Sequence, residues 1–163
     1  MRKTNEGPAV GLAGKYLAFR LDDEEYCLKI LKVREIIGVM PIISLPRTPA
    51  FVRGVIDLRG RIIPVIDLRR KFELEAAEDT AKTCIIVVDV NNGAKNIRIG
   101  ISVDSVSEVL DIKGEDIEES PAFGTNVDTA FILGMVKTKG AVKIILNIEK
   151  VLSPAELKHV EGI

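Results

Sequence analysis

From Tyr16 onward the chain alternates short apolar runs with polar breaks. Tyr16-Leu17-Ala18-Phe19-Arg20-Leu21 leads into Asp22-Asp23-Glu24-Glu25, and Tyr26-Cys27-Leu28-Lys29-Ile30 follows, a strand, a turn and a strand. Further on, Cys84-Ile85-Ile86-Val87-Val88-Asp89-Val90 meets Asn91-Asn92-Gly93, and Ile97-Arg98-Ile99-Gly100-Ile101-Ser102-Val103 returns with a period of two. β-Branched residues at that spacing, bounded by Asn and Gly, predict a hairpin. Helix is minor. Thr48-Pro49-Ala50-Phe51-Val52 offers an N-cap with Pro at the first helical position, and Ser153-Pro154-Ala155-Glu156 reads as a capping box opening a C-terminal helix. Residues 67–72 and 147–152 each fit one further helical turn. Residues 1–14 lack an apolar run and predict a loose tail with no export signal.

An internal repeat organises these elements. The segment from Phe51 through Gly54, Asp57, Gly60 and Pro64 to Leu68 recurs eighty positions later, from Phe131 through Gly134 and Gly140 to Ile148. Upstream, Val33-Arg34-Glu35-Ile36-Ile37 matches Val106-Ser107-Glu108-Val109-Leu110 at an offset of seventy-three, which places an insertion in residues 121–130. Two similar β-modules result, each too short to be stable alone, so their core should be shared across the junction. Gly60 and Gly140 mark hairpins with a three-residue turn that needs one residue at positive φ. Pro64 has no N–H to give and belongs at a sheet edge or bulge.

Composition removes several chemistries. The 163 residues are 47% hydrophobic and 29% charged with a net charge of -1, enough for a core and against a generic nucleic-acid or anionic-lipid binder. A single histidine, His159, sits near the C-terminus and there is no tryptophan, so a His-rich metal site or a Ser/His/Asp triad has little to build on. Cys27 and Cys84 lie in apolar stretches without C-x-x-C spacing and read as two buried thiols in a reducing cytosol, with a structural bridge between them as the alternative. Asp22-Asp23-Glu24-Glu25 lacks the ligand spacing of a calcium loop, and Gly54 with Gly60 lacks the Lys-Ser/Thr of a phosphate cradle. Charge is segregated. Six basic residues (Arg53, Arg59, Arg61, Arg69, Arg70, Lys71) face only Asp57 and Asp67 in residues 53–71, whereas residues 111–119 hold five acids against Lys113. Aromatics make up 4% of the chain, too few for base-stacking platforms, so the basic face suits a protein partner. A small-barrel nucleic-acid- or ligand-binding module is the alternative from another class. An enzyme built on carboxylates has no positive support.

Residues 30–36, 48–69, 103–109 and 146–152 carry a resemblance to the CheW family of bacterial chemotaxis adaptors, and it extends from about Tyr16 to Leu152. The block around Leu58-Arg59-Gly60 is its most specific part. The resemblance implies an all-β fold of two packed SH3-like five-stranded barrels with a few short helices. Residues 15–152 would form one domain in two halves, about 28–80 and 81–150, with the first strand, 15–27, near the junction and a short helix or tail at 153–163. It further implies no catalysis, and the missing ligand clusters and nucleophile–base pairs predict no bound metal, nucleotide or other cofactor. The expected partners are the histidine kinase CheA, through its C-terminal regulatory domain, and the cytoplasmic tips of methyl-accepting chemotaxis proteins. Such an adaptor is cytoplasmic and recruited to membrane receptor arrays by its protein partners, without inserting itself. Val33, Glu35 and Arg59 are carried over as contact residues, and Gly54, Asp57 and Gly60 as supports of that surface. Arg59 should project from its hairpin tip, or else fold back onto Asp57 or another local acid. The family usually has Asn where this chain has Asp57, and a carboxylate cannot donate a hydrogen bond as an amide can.

Overall fold

In the computed structural model, residues 12–91, 93, 95–119, 131–138 and 140–163 are described. The strands are β1 (Gly14–Leu21), β2 (Glu24–Lys29), β3 (Val33–Gly38), β4 (Val52–Leu58), β5 (Arg61–Asp67), β6 (Cys84–Asn91), β7 (Asn96–Val103), β8 (Ser105–Ile112), β9 (Ile117–Glu119), β10 (Ile132–Thr138) and β11 (Ala141–Leu146). Short helices follow as α1 (Leu68–Lys71), α2 (Ile148–Val151) and α3 (Pro154–Glu161).

Two sheets form, in the orders β3-β6-β7-β5-β4 and β8-β1-β2-β11-β10-β9. Each surrounds a core of its own, barrel one around Ile56, Ile63, Val65, Ile85 and Val87, and barrel two around Tyr16, Ala18, Cys27, Leu110 and Ile145. The eighty-residue repeat is realised throughout. Both sheets run antiparallel, antiparallel, parallel, antiparallel along their first five strands. The register slips at Arg34 and at Ser107, seventy-three positions apart, and at Arg53 and at Leu133, eighty apart.

Strand membership, however, does not divide near residue 80. β6 and β7 complete barrel one, and β1 and β2 lie fully inside barrel two, so each barrel closes on a hairpin from the other repeat. The parallel pairs decide this. β5 aligns Val65 with Gly100 of β7, and β11 aligns Ile144 with Tyr26 of β2. Parallel neighbours cannot be joined by a tight turn, so each repeat's closing strand takes a partner from elsewhere in the chain.

The exchanged hairpins are buried on both faces, which explains their nearly continuous apolar runs. On β6, Ile85 and Val87 point into barrel one, while Ile86, Val88 and Val90 join the shared core. On β1, Tyr16 and Ala18 face barrel two, and Leu17, Phe19 and Leu21 face the junction. A row of rings, Phe19, Tyr26, Phe72 and Phe131, runs through that shared core with successive centroids 5.8, 5.7 and 5.0 Å apart. No described aromatic ring is exposed, so none of these rings is a platform for bases.

Local expectations fare unevenly. α1, α2 and the capping box of α3 form where predicted, and Leu157 and Val160 of α3 are packed into the shared core. His159 therefore stands on an ordered helix. Residues 48–52 form a turn instead of a helix, because Val52, bonded back to the Pro49 carbonyl at 3.0 Å, already begins β4. Pro64 sits on an interior strand, but the ladder to β7 starts only at Val65, so no donor is missed. The expected tail is shorter than fourteen residues. Leu12 is buried in barrel two, and its carbonyl accepts the Tyr16 hydroxyl. Residues 1–11 and the expected insertion at 121–130 lie outside the described residues.

Candidate partner-binding surface

The β4–β5 hairpin closes with Leu58 opposite Arg61, leaving two residues in the turn and not three. Arg59 and Gly60 both take positive φ, 52° and 86°, as a turn matching the sheet twist requires. Nothing stands where a Gly60 side chain would go, so that glycine serves conformation alone. Asp57 accepts the Gly60 N–H at 2.9 Å. The bond needs only an acceptor, which explains how Asp serves where the family usually has Asn.

Arg59 folds back, but onto Glu35 of β3 and not onto Asp57. Its guanidinium forks the Glu35 carboxylate, with one arm at 3.1 Å and the other also bonded. The fork leaves Arg59 open, its side chain 70% exposed against 29% for Glu35. This hydrogen bonding holds the Glu35 carboxyl below the usual carboxylate range. Val33 does not join them. It is half-buried and packs on the shared core.

Gly54 supports the surface differently from Gly60. Ile43 exchanges two backbone bonds with Val55, at 2.8 and 2.9 Å, and a Cβ on Gly54 would lie 2.0 Å from the Ile43 carbonyl oxygen. The repeat has the same device, with a Cβ on Gly134 falling 2.7 Å from the Glu118 oxygen where β9 pairs with β10. Both glycines admit a passing segment of chain, β9 over Gly134 and the isolated bridge at Ile43 over Gly54.

A second polar cluster, missed in the sequence, ties the barrels together. Asp104 is the one residue between β7 and β8, hence between the barrels. Arg69 donates to both its oxygens at 2.9 Å, and to the Glu75 carbonyl at 2.6 Å. The Asp22 amide, in the β1–β2 turn, reaches Asp104 at 2.8 Å, and the Asp104 amide donates to the Arg20 carbonyl. Burial alone would raise the Asp104 carboxyl, but the Arg69 and Asp22 bonds outweigh it and hold it low. A carboxyl depressed in the folded state stabilises fully above its unfolded pKa, about 3.9, and loses that contribution as pH falls through the folded value. Urea midpoints should therefore drop below about pH 4. Asp104→Asn should lower the neutral midpoint and flatten that acid limb; a limb as steep as the parent's would assign it to other carboxyls, such as Glu156 beside Lys71.

The interior offers little reactivity. Burial pushes the Cys27 thiol and the Tyr16 hydroxyl up to about 12 each. Among the described residues no group of three or more His, Cys, Asp or Glu is placed to hold a metal, and no helix is long and apolar enough to cross a membrane.

Comparison with known proteins agrees with this architecture. The model of the CheW-like domain matches residues 15–156. The chain is 36% identical over 149 residues to the chemotaxis protein CheW of Klebsiella aerogenes, covering 91% of this chain and 87% of that one. It is 34% identical over 140 residues to CheW of Rhizobium meliloti, covering 86% and 88%. Among solved structures, the scaffolding protein TtCheW of Thermoanaerobacter tengcongensis superposes with a TM-score of 0.76 at 36% identity, covering 86% of this chain and 92% of that one. That family folds as two SH3-like β-barrels and is made of non-catalytic scaffolds. With its paired barrels and matching sequence, this chain belongs to the CheW family and is a chemotaxis adaptor.

Proposed function

We propose that the chain couples methyl-accepting chemotaxis receptors to the kinase CheA by binding both at once, in the cytoplasm, within receptor arrays. The observation that carries this reading is a matched set of exposed apolar side chains. Ile36 and Ile62 on barrel one are 42% and 58% exposed, and Val109 and Val142, at offsets of seventy-three and eighty, are 55% and 51% exposed on barrel two. Single exposed aliphatics are ordinary. Their recurrence at equivalent positions leaves each barrel with its own pair of exposed aliphatics, one set for each partner of a two-partner scaffold. Pull-downs with the receptor tip and with the kinase test the reading, which requires Val142→Asp and Ile62→Asp to weaken capture of at least one of them.

Val33, Glu35 and Arg59 are the proposed contact residues, with Gly54, Asp57 and Gly60 beneath them. Arg59→Ala should leave the thermal midpoint nearly unchanged, because the Glu35 pair is solvent-exposed. Affinity for the partner it touches should fall about thirtyfold, the loss typical of an interface hot spot. Intact affinity for both partners would remove Arg59 from the contact set.

A further inference from the structure

Barrel one concentrates arginines where barrel two does not. Arg34 on β3, Arg59 and Arg61 at the β4–β5 hairpin, and Arg98 on β7 line one recess with Glu35. The repeat offsets put Ser107, Lys139 and Ala141 at the positions of Arg34, Arg59 and Arg61. Strand registers put Glu25 at the position of Arg98, since Glu35 lies across from Val87 and Gly100 as Glu108 lies across from Ala18 and Cys27. Even the cross-strand ion pair is inverted, Asp89 with Arg98 in barrel one and Arg20 with Glu25 in barrel two. The fold itself does not ask for arginine at these places.

The recess already shows what it grips. Arg59 forks the Glu35 carboxylate, and Asp89 sits between Arg98 at 3.1 Å and Arg34 at 3.5 Å. Arg61 makes no ion pair among the described residues. Three guanidinium groups thus hold two carboxylates while Arg61 lines the same recess, and the register slip falls at Arg34, which has no partner in the ladder. Charge in excess of internal partners, on planar forks, is matched by carboxylates from outside.

We propose that this recess receives a carboxylate-rich segment of a protein partner, with Arg61 and Arg34 making the discriminating bonds. The proposal takes from the adaptor reading only that the partner is a protein. A nucleic acid is disfavoured because no described aromatic ring is exposed to stack a base and the net charge is -1.

The test uses the full chain, isotopically labelled, titrated with a short synthetic peptide of glutamate and leucine. The side-chain Nε signals of Arg34, Arg61 and Arg98 should move, and that of Arg69, engaged with Asp104, should not. Arg34→Glu with Arg61→Glu should weaken peptide binding at least roughly tenfold with an unchanged thermal midpoint, and Arg61→Lys should weaken it less. Binding untouched by the charge reversal, or equal movement of every arginine, overturns the proposal. Tighter binding of inorganic phosphate or of a single-stranded RNA overturns it too, in favour of phosphate recognition. Neither receptor nor kinase is present, so a failure here is separate from a failure of the adaptor reading.

Discussion

Gly54→Ala should destabilise the protein by about 3 kcal/mol or more, among the largest losses expected of any single methyl group added here. The added carbon would fall 2.0 Å from the Ile43 oxygen and 2.7 Å from its carbon, both backbone atoms that cannot rotate away. Relief requires parting residue 43 from β4, which breaks both bonds to Val55 and unseats Ile42, packed on the barrel-one core. Gly54 also has φ 143°, a conformation side chains rarely adopt. Gly60→Ala provides the control. It shares a positive φ but meets open space, so its cost is the conformational term alone, about 1 kcal/mol. Urea unfolding of the two variants decides the matter. Equal losses would mean that the segment around Ile43, passing over Gly54, is not held as described.

A comparable loss is expected inside barrel two. Lys143 points inward with 4% of its side chain exposed, and its ammonium lies 3.2 Å from Glu25 on the neighbouring parallel strand. Glu25→Ala strands that charge, and breaking a buried pair from one side typically costs about 3 kcal/mol. Removing the lysine is different. The repeat places Ile63, a core residue of barrel one, at the position of Lys143. Lys143→Ile therefore installs what the sister barrel already accommodates, and Glu25 keeps Arg20 at 3.4 Å. Its stability should stay within about 1 kcal/mol of the parent, as for buried ion pairs replaced by apolar groups. Chemical denaturation that ranks Lys143→Ile as the worse variant would contradict this account.

The repeat was legible in the sequence because equivalent strands share patterns of Gly, Val and Ile. Which strands pair was not, because similarity marks equivalents and not neighbours. Residues 84–90 looked like a continuation of the second half, yet Ile85 and Val87 fill barrel one. The two glycines of the hairpin block looked alike in spacing. Only the backbone shows that Gly60 frees a turn while Gly54 clears a path for Ile43. At the site, Arg59 was legible as a hairpin-tip residue, but its partner was not, since Glu35 is twenty-four positions away and reaches it only once β3 is in place. Asp104 gave no signal of its own. A lone acid between two strands looks like any turn residue until Arg69 and Asp22 converge on it.

The adaptor reading is tested most directly by reconstituting receptor-coupled kinase activity. Membranes bearing a methyl-accepting receptor, purified CheA and this chain should phosphorylate strongly together and weakly when the chain is omitted, and the chain should sediment with the membranes together with the kinase. Kinase activity that ignores the chain, or a chain that holds one partner and never both, would contradict it.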